Sequence, residues 1–113
     1  MSDTTSARTW LTIPDLSDRL GITPGKVRKL IEDRSLVAVR RDGVLSVPDV
    51  FLAGDQPLSE LKGTIILLGD IGFSDDEIMQ WLLEPESSLD AAPIDALLAG
   101  RKAEVRRIAQ ALL

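Results

Sequence analysis

Two helix starts stand close together in this chain, at Thr12-Ile13-Pro14 and at Thr23-Pro24, with Gly21 between them. That pairing constrains the fold more than any other feature. A threonine just before a helix can accept a backbone N–H of the first turn, and a proline in that turn forfeits no hydrogen bond. Asp15 lies three residues past Thr12, as a capping box needs, and Leu11 with Leu16 fall at the hydrophobic staple positions. Gly21 can take the left-handed conformation that ends the first helix. Thr23 then caps a second helix, with Ile22 and Val27 as its staple. Val27, Leu30 and Ile31 share one face of that helix. Two short helices across a tight glycine turn make a helix-turn-helix.

The next segment, Leu36 to Pro48, carries β-branched and apolar residues on both sides of Asp42-Gly43, a strong short hairpin signal. A hairpin directly after a helix-turn-helix is a wing, and its tip carries Arg40 and Arg41. Pro48 and Asp49 open a short turn or helix that packs back on the first part.

Charge is distributed unevenly. The chain carries net charge −5, yet Lys26, Arg28 and Lys29 crowd the second helix. Residues 1–53 hold eight Lys/Arg against seven Asp/Glu, whereas residues 54–113 hold five against eleven. An acidic mean field argues against indiscriminate nucleic-acid binding, but a local cationic face can still meet a polyanion.

Composition excludes much chemistry. There is no Cys and no His, which removes disulfides, thiolate nucleophiles, Ser-His-type triads and nearly all zinc sites. No Gly-rich phosphate loop stands beside a nucleophile, so the reading is of a protein that is not an enzyme and needs no cofactor. With four aromatics, Trp10, Phe51, Phe73 and Trp81, the core must be aliphatic. The N-terminus lacks the apolar stretch of a secretory signal, and the apolar run Thr64 to Leu68 is too short to span a bilayer. The expectation is a soluble cytoplasmic protein with no membrane partner.

The second half reads as helical. Leu58 to about Asp70 has Leu61, Ile65, Leu68 and Ile71 near helical spacing, interrupted by Gly63 and Gly69. Ser74, Glu77, Phe73 and Ile78 form a full capping box with its staple, so a helix starts there and ends before Pro85. Pro93 opens a short helix through Leu98, stopped by Gly100. Arg101 to Leu113 closes the chain, with Val105, Ile108, Ala109 and Leu112 as its apolar stripe. Gly54 to Glu60 is the expected border. The fold class is therefore mainly α with a small β-hairpin. The units are a flexible tail (1–9), a winged helix-turn-helix (10–53) and a small helical C-terminal unit (54–113).

A helix entering the major groove needs small or basic residues on its outward N-terminal positions. Gly25 allows close backbone approach, Lys26 and Lys29 suit phosphates, and Arg28 suits a guanine edge or a phosphate. Arg40 and Arg41 suit a backbone or narrow minor groove, and the Thr23 hydroxyl a phosphate. A solubilising face would use the same cations; what favours double-stranded DNA is that they fall on both candidate reading elements. The acidic run Ser74 to Glu77 is explained by its capping box rather than by a metal. Trp10 and Trp81 read as core or domain-contact anchors. Arg101, Lys102, Arg106 and Arg107 read as the solvent face of the last helix, pairing with acids such as Glu104.

The stretch "LTIPDLSDRLGITPGKVRKLIEDRSLVAVRRDGVLSVPDVFL" resembles the winged helix-turn-helix of MerR- and excisionase-type DNA-binding domains. With the ending "PIDALLAGRKAEVRRIAQALL", the whole chain resembles a small actinobacterial family that joins such a domain to a short helical C-terminal domain. The resemblance covers about residues 9–113. It implies DNA binding by Lys26, Arg28 and Lys29 with Arg40 and Arg41, in a transcriptional regulator without catalysis. The chain departs from ordinary MerR regulators in lacking a long dimerisation helix and an effector domain. A monomer and a dimer through the C-terminal helices both stay open. The ending is also reminiscent of the toxin-binding helical domain of some antitoxins. On that alternative the acidic half is an adaptor for a protein partner.

Thr4, Thr5 and Thr9 precede the first helix. Phosphorylation of Thr9 by a Ser/Thr kinase would put about −1.5 to −2 charge beside the candidate DNA face and weaken binding.

Overall fold

A computed structural model of the chain describes residues 8–112. Each expected N-cap forms from the residues that should form it. Ahead of α1 (Ile13–Leu20), the Thr12 hydroxyl accepts the Asp15 N–H, and the Asp15 carboxylate accepts the Thr12 N–H at 3.0 Å. Gly21, at φ +68°, ends the helix in the left-handed region. The Ser17 hydroxyl donates to the Ile22 carbonyl and ties the turn shut. In α2 (Pro24–Glu32), Thr23 accepts the Lys26 N–H at 3.2 Å, and Val27 is fully buried.

The end of α2 departs from what sequence suggests. Its last carbonyls are satisfied in a Schellman pattern, Arg34 N–H to Ile31 and Ser35 N–H to Leu30. The left-handed position of that motif belongs usually to glycine, yet here it is Arg34, at φ +70°.

The wing forms around Asp42 and Gly43, both at positive φ, +52° and +81°, as the two-residue primed turn requires. It joins β2 (Val39–Arg41) to β3 (Val44–Pro48). The hairpin is not alone. Residues 10–12, expected only to lead into α1, also form β1 (Trp10–Thr12), which pairs antiparallel with β3 to give the order β1-β3-β2. A three-residue strand that runs straight into a helix cap is too short for alternation to betray it.

After a single tight turn at Asp49–Phe51, the segment expected as a border folds into a second small hairpin, β4 (Leu52–Ala53) with β5 (Gln56–Pro57). Leu58 is buried behind it, its N–H spent on the Phe51 carbonyl at 2.8 Å. That bond holds the chain in a turn, so α3 (Leu61–Asp70) begins three residues later than expected.

The remaining helices are α4 (Asp75–Leu83), α5 (Pro93–Leu98) and α6 (Lys102–Gln110). Ser74 and Glu77 build the full capping box of α4. The last helix is shorter than the expected 101–113, and residue 113 lies outside the described residues. Of the two glycines of α3, only Gly63 is crowded. A Cβ on Gly63 would stand 3.1 Å from Arg106 Nη2, and one on Gly69 would stand 3.6 Å from Arg34 Nη2.

One apolar cluster runs through the molecule. It takes Leu16, Leu36 and Phe51 from before the border and Leu61, Ile78 and Leu97 from after it. α5 packs on the turn at Asp49–Phe51, and α4 lies against β2. This fixes how the helical half sits relative to the wing.

Candidate nucleic-acid interface

α2 is pinned to the core by Val27, with Leu30 and Ile31 half-buried beside it. At 100° per residue, positions two away from Val27 lie opposite the buried face and positions one away lie on its flanks, so they face water. Gly25, Lys26, Arg28 and Lys29 are all exposed, and so is Thr23 at the helix start. The Thr23 oxygen is occupied by the Lys26 N–H, but its own hydroxyl hydrogen stays available to a donor-seeking oxygen. Gly25 answers to no packing need: a Cβ there would meet only Thr23 Oγ1, at 4.0 Å.

The two wing arginines do not share a fate. Adjacent residues of a strand leave opposite faces of the sheet. Arg41 lies over the Trp10 ring, its guanidinium carbon 4.2 Å from the ring centroid. The stacking is a cation–π contact across the sheet, from the outer strand β2 to the outer strand β1. Arg40 is exposed, and its guanidinium donates to the Gly43 carbonyl at 3.4 Å. Asp76 and Met79 of α4, with Glu84 at its C-terminal end, line the cleft beside Arg41 and Trp10, so Trp10 does stand where the two halves meet.

Thr9 is exposed, and its carbonyl accepts the Asp49 N–H at 2.9 Å. Thr4 and Thr5, and the rest of the expected tail up to residue 7, lie outside the described residues.

Several acids of the molecule are engaged by partners of their own. Hydrogen bonds from the Ser35 hydroxyl and N–H hold the Asp33 carboxyl below its ordinary value, and nearby Lys62 and Lys29 add to the effect. Asp75 pairs with Arg34 at 2.9 Å, Glu104 with Arg101 at 2.7 Å, and Asp95 with Arg8 at 3.2 Å. The expected pairing of the last helix with Glu104 thus involves Arg101. Among the described residues no three acids gather to hold a metal ion, and Glu77 of the acidic run is spent on its capping box.

Sequence reasoning missed two features here. Arg34 ties the end of α2 to the start of α4, and Arg41 is committed to Trp10. Neither leaves a local signal, because each contact joins segments distant in the chain.

Residues 3–52 match the family described as "DNA-binding protein Rv2175c, wHTH domain", and residues 58–113 match "Rv2175c C-terminal domain of unknown function". The DNA-binding protein Rv2175c of Mycobacterium tuberculosis (strain ATCC 25618 / H37Rv) is 37% identical over 113 residues, covering 88% of this chain and 77% of that protein. The chain belongs to the Rv2175c family. The NMR structure of Rv2175c matches with a TM-score of 0.86 at 36% identity, over 93% of this chain and 81% of the other. The resemblance to an actinobacterial winged helix-turn-helix family with a C-terminal helical domain therefore holds. The two Rv2175c family segments end and begin at residues 52 and 58, on either side of the β4–β5 turn.

Proposed function

We propose that this chain binds double-stranded DNA through α2 and the wing and acts as a transcriptional regulator. The observation that carries the reading is the exposed face of α2. Among the described residues its three cations make no ion pair, and they stand beside a glycine that the described packing does not require. Lys26 and Lys29 take phosphates, Arg28 reads a base edge or holds a phosphate, and Gly25 lets the backbone approach. Thr23 donates its hydroxyl to a phosphate at the start of α2. Arg40 is the wing's contact; Arg41 reaches DNA only by leaving the Trp10 ring. Division of labour follows the expected units, with residues 10–53 reading DNA and 54–113 supporting them. The family name supports a binding role rather than catalysis. No described helix is long and apolar enough to cross a membrane, and we place the protein in the cytoplasm.

The test is anisotropy with a mixed-sequence duplex across a salt series. Three to five phosphate contacts give a log–log slope of roughly −3 to −4.5. Replacing Lys26, Arg28 and Lys29 together by alanine should flatten that slope by about 1.8–2.7 while the fold persists; a slope unchanged in the triple variant defeats the reading. Thr9, exposed beside Trp10, is the proposed kinase site. Thr9→Asp should weaken binding at low salt, and equal affinity would count against it.

A second reading rests on Ile66 of α3, Leu98 of α5 and Leu112 just past α6, exposed by 40%, 45% and 43%. These suit a second copy or a protein partner. Sedimentation at rising concentration tests the homodimer, which a monomer at every concentration would rule out.

A further inference from the structure

Most arginines of this chain are occupied by a carboxylate, a backbone carbonyl or a ring. Among the described residues, every Lys or Arg side chain without such a partner belongs to α2, α3 or α6. The three helices come together on one side. Lys26 and Lys29 stand one turn apart on α2. Lys29 and Lys62 both act on Asp33, which places the start of α3 beside the end of α2. Lys62 and Leu30 also line the same shallow groove. The next residue, Gly63, has the Arg106 guanidinium lying against it, at 3.1 Å from where a Cβ would be. Lys102 precedes Arg106 by one helical turn on the same face of α6.

We propose that Lys62, Arg106 and Lys102 form a second phosphate-binding strip, continuous with α2, that gives the C-terminal helices a direct part in holding DNA. The proposal rests on the DNA reading above and extends it to the half of the chain whose overall charge is acidic. The local balance differs from the mean. Asp33 lies within the strip but is engaged by Ser35, and Glu104 is engaged by Arg101. A polyanion laid along α2 meets cations on both sides of Asp33. Lys62 and Lys102 are point cations on flexible stems that suit phosphates rather than base edges, and the Arg106 guanidinium lies against Gly63, so the strip contributes affinity and footprint length, not sequence preference.

The experiment uses the full chain and a duplex long enough to extend past one helical turn on either side. Anisotropy is read across a salt series for wild type, Lys62→Gln, and Lys62→Gln with Arg106→Gln. A control, Ser87→Glu with Ser88→Glu, makes the same change in net charge in the exposed α4–α5 loop. Losing two phosphate contacts should flatten the log–log slope by about 1.8 and weaken low-salt binding roughly tenfold. Lys62→Gln alone, which disturbs no hydrogen bond or ion pair among the described residues, should flatten it by about 0.9. Hydroxyl-radical protection should vanish at the flank and persist at the centre. A double variant with wild-type slope and footprint overturns the strip but leaves the DNA reading standing. A control that loses as much as the double variant also overturns it. Wild type that binds no duplex at low salt overturns both.

Discussion

Replacing Arg34 by glycine and, separately, by alanine sets two opposing effects against each other at one position. Arg34 holds φ +70° at the end of α2, where a side chain with a Cβ costs about 1–2 kcal/mol. Its guanidinium pairs with Asp75 at 2.9 Å, but the two side chains are 30% and 52% exposed, so the pair contributes only about 0.5 kcal/mol. The guanidinium beside Gly69 adds packing that both substitutions remove. Alanine keeps the strain and loses the pair. Glycine loses the pair, relieves the strain, and gives back roughly 0.5–1 kcal/mol through the freer unfolded chain. The glycine variant should therefore exceed the alanine variant by about 0.5–1 kcal/mol, or roughly 2–5 °C in Tm for a chain of this size. Urea unfolding with matched m-values measures the difference. An alanine variant as stable as the glycine variant would rule out strain relief as the larger of the two effects. Adding Asp75→Ala to Arg34→Ala should cost nothing further; an additional loss would mean that Asp75 has a partner beyond Arg34.

Gly25→Ala should leave stability unchanged or raise it by up to about 1 kcal/mol, because the new Cβ meets open space, while duplex affinity falls. Denaturation and anisotropy on the same sample check both halves of that statement. Ser74→Ala should cost about 1 kcal/mol, read by thermal melting, through loss of the hydroxyl that accepts the Glu77 N–H. Acid should destabilise the fold in one direction only. Asp15 and Glu77 are held below their ordinary values by the N–H groups of Thr12 and Ser74, Asp33 by Ser35, and Glu104 by Arg101. A depressed carboxyl favours the folded state above its unfolded pKa, and that contribution is lost as pH falls through the folded value. With no His in the chain, stability should stay flat from about pH 5.5 to 8 and decline below about pH 4, less so in Glu77→Gln.

The legible parts of the fold were those encoded within a few residues. Thr12, Thr23 and Ser74 cap because their hydroxyls reach the third N–H beyond them, whatever else the chain does. Asp42-Gly43 turns because both positions tolerate positive φ. By contrast, β1, β4 and β5 are two or three residues long and exist only because a partner strand is at hand. Arg34 was unreadable as a left-handed residue because glycine is the usual signal there. For the candidate site, the cations of α2 could be read from spacing alone. That Arg41 would be taken by Trp10 could not, since the contact spans the sheet. Lys62 drew no notice and Arg106 read as ordinary solvent face, because their nearness depends on how α3 and α6 cross.

The shared core has a consequence for how this molecule could be taken apart. A cut at residues 54–60 would divide the one apolar cluster and part the Asp49–Phe51 turn, with its buried Phe51, from α5. Neither fragment would then have a finished interior, and each would be prone to self-association. The familiar practice of excising a DNA-reading module and grafting it elsewhere is closed to this chain. With one cluster shared between them, its two segments should melt together, and an insertion between them would have to preserve the seam rather than merely lengthen a tether.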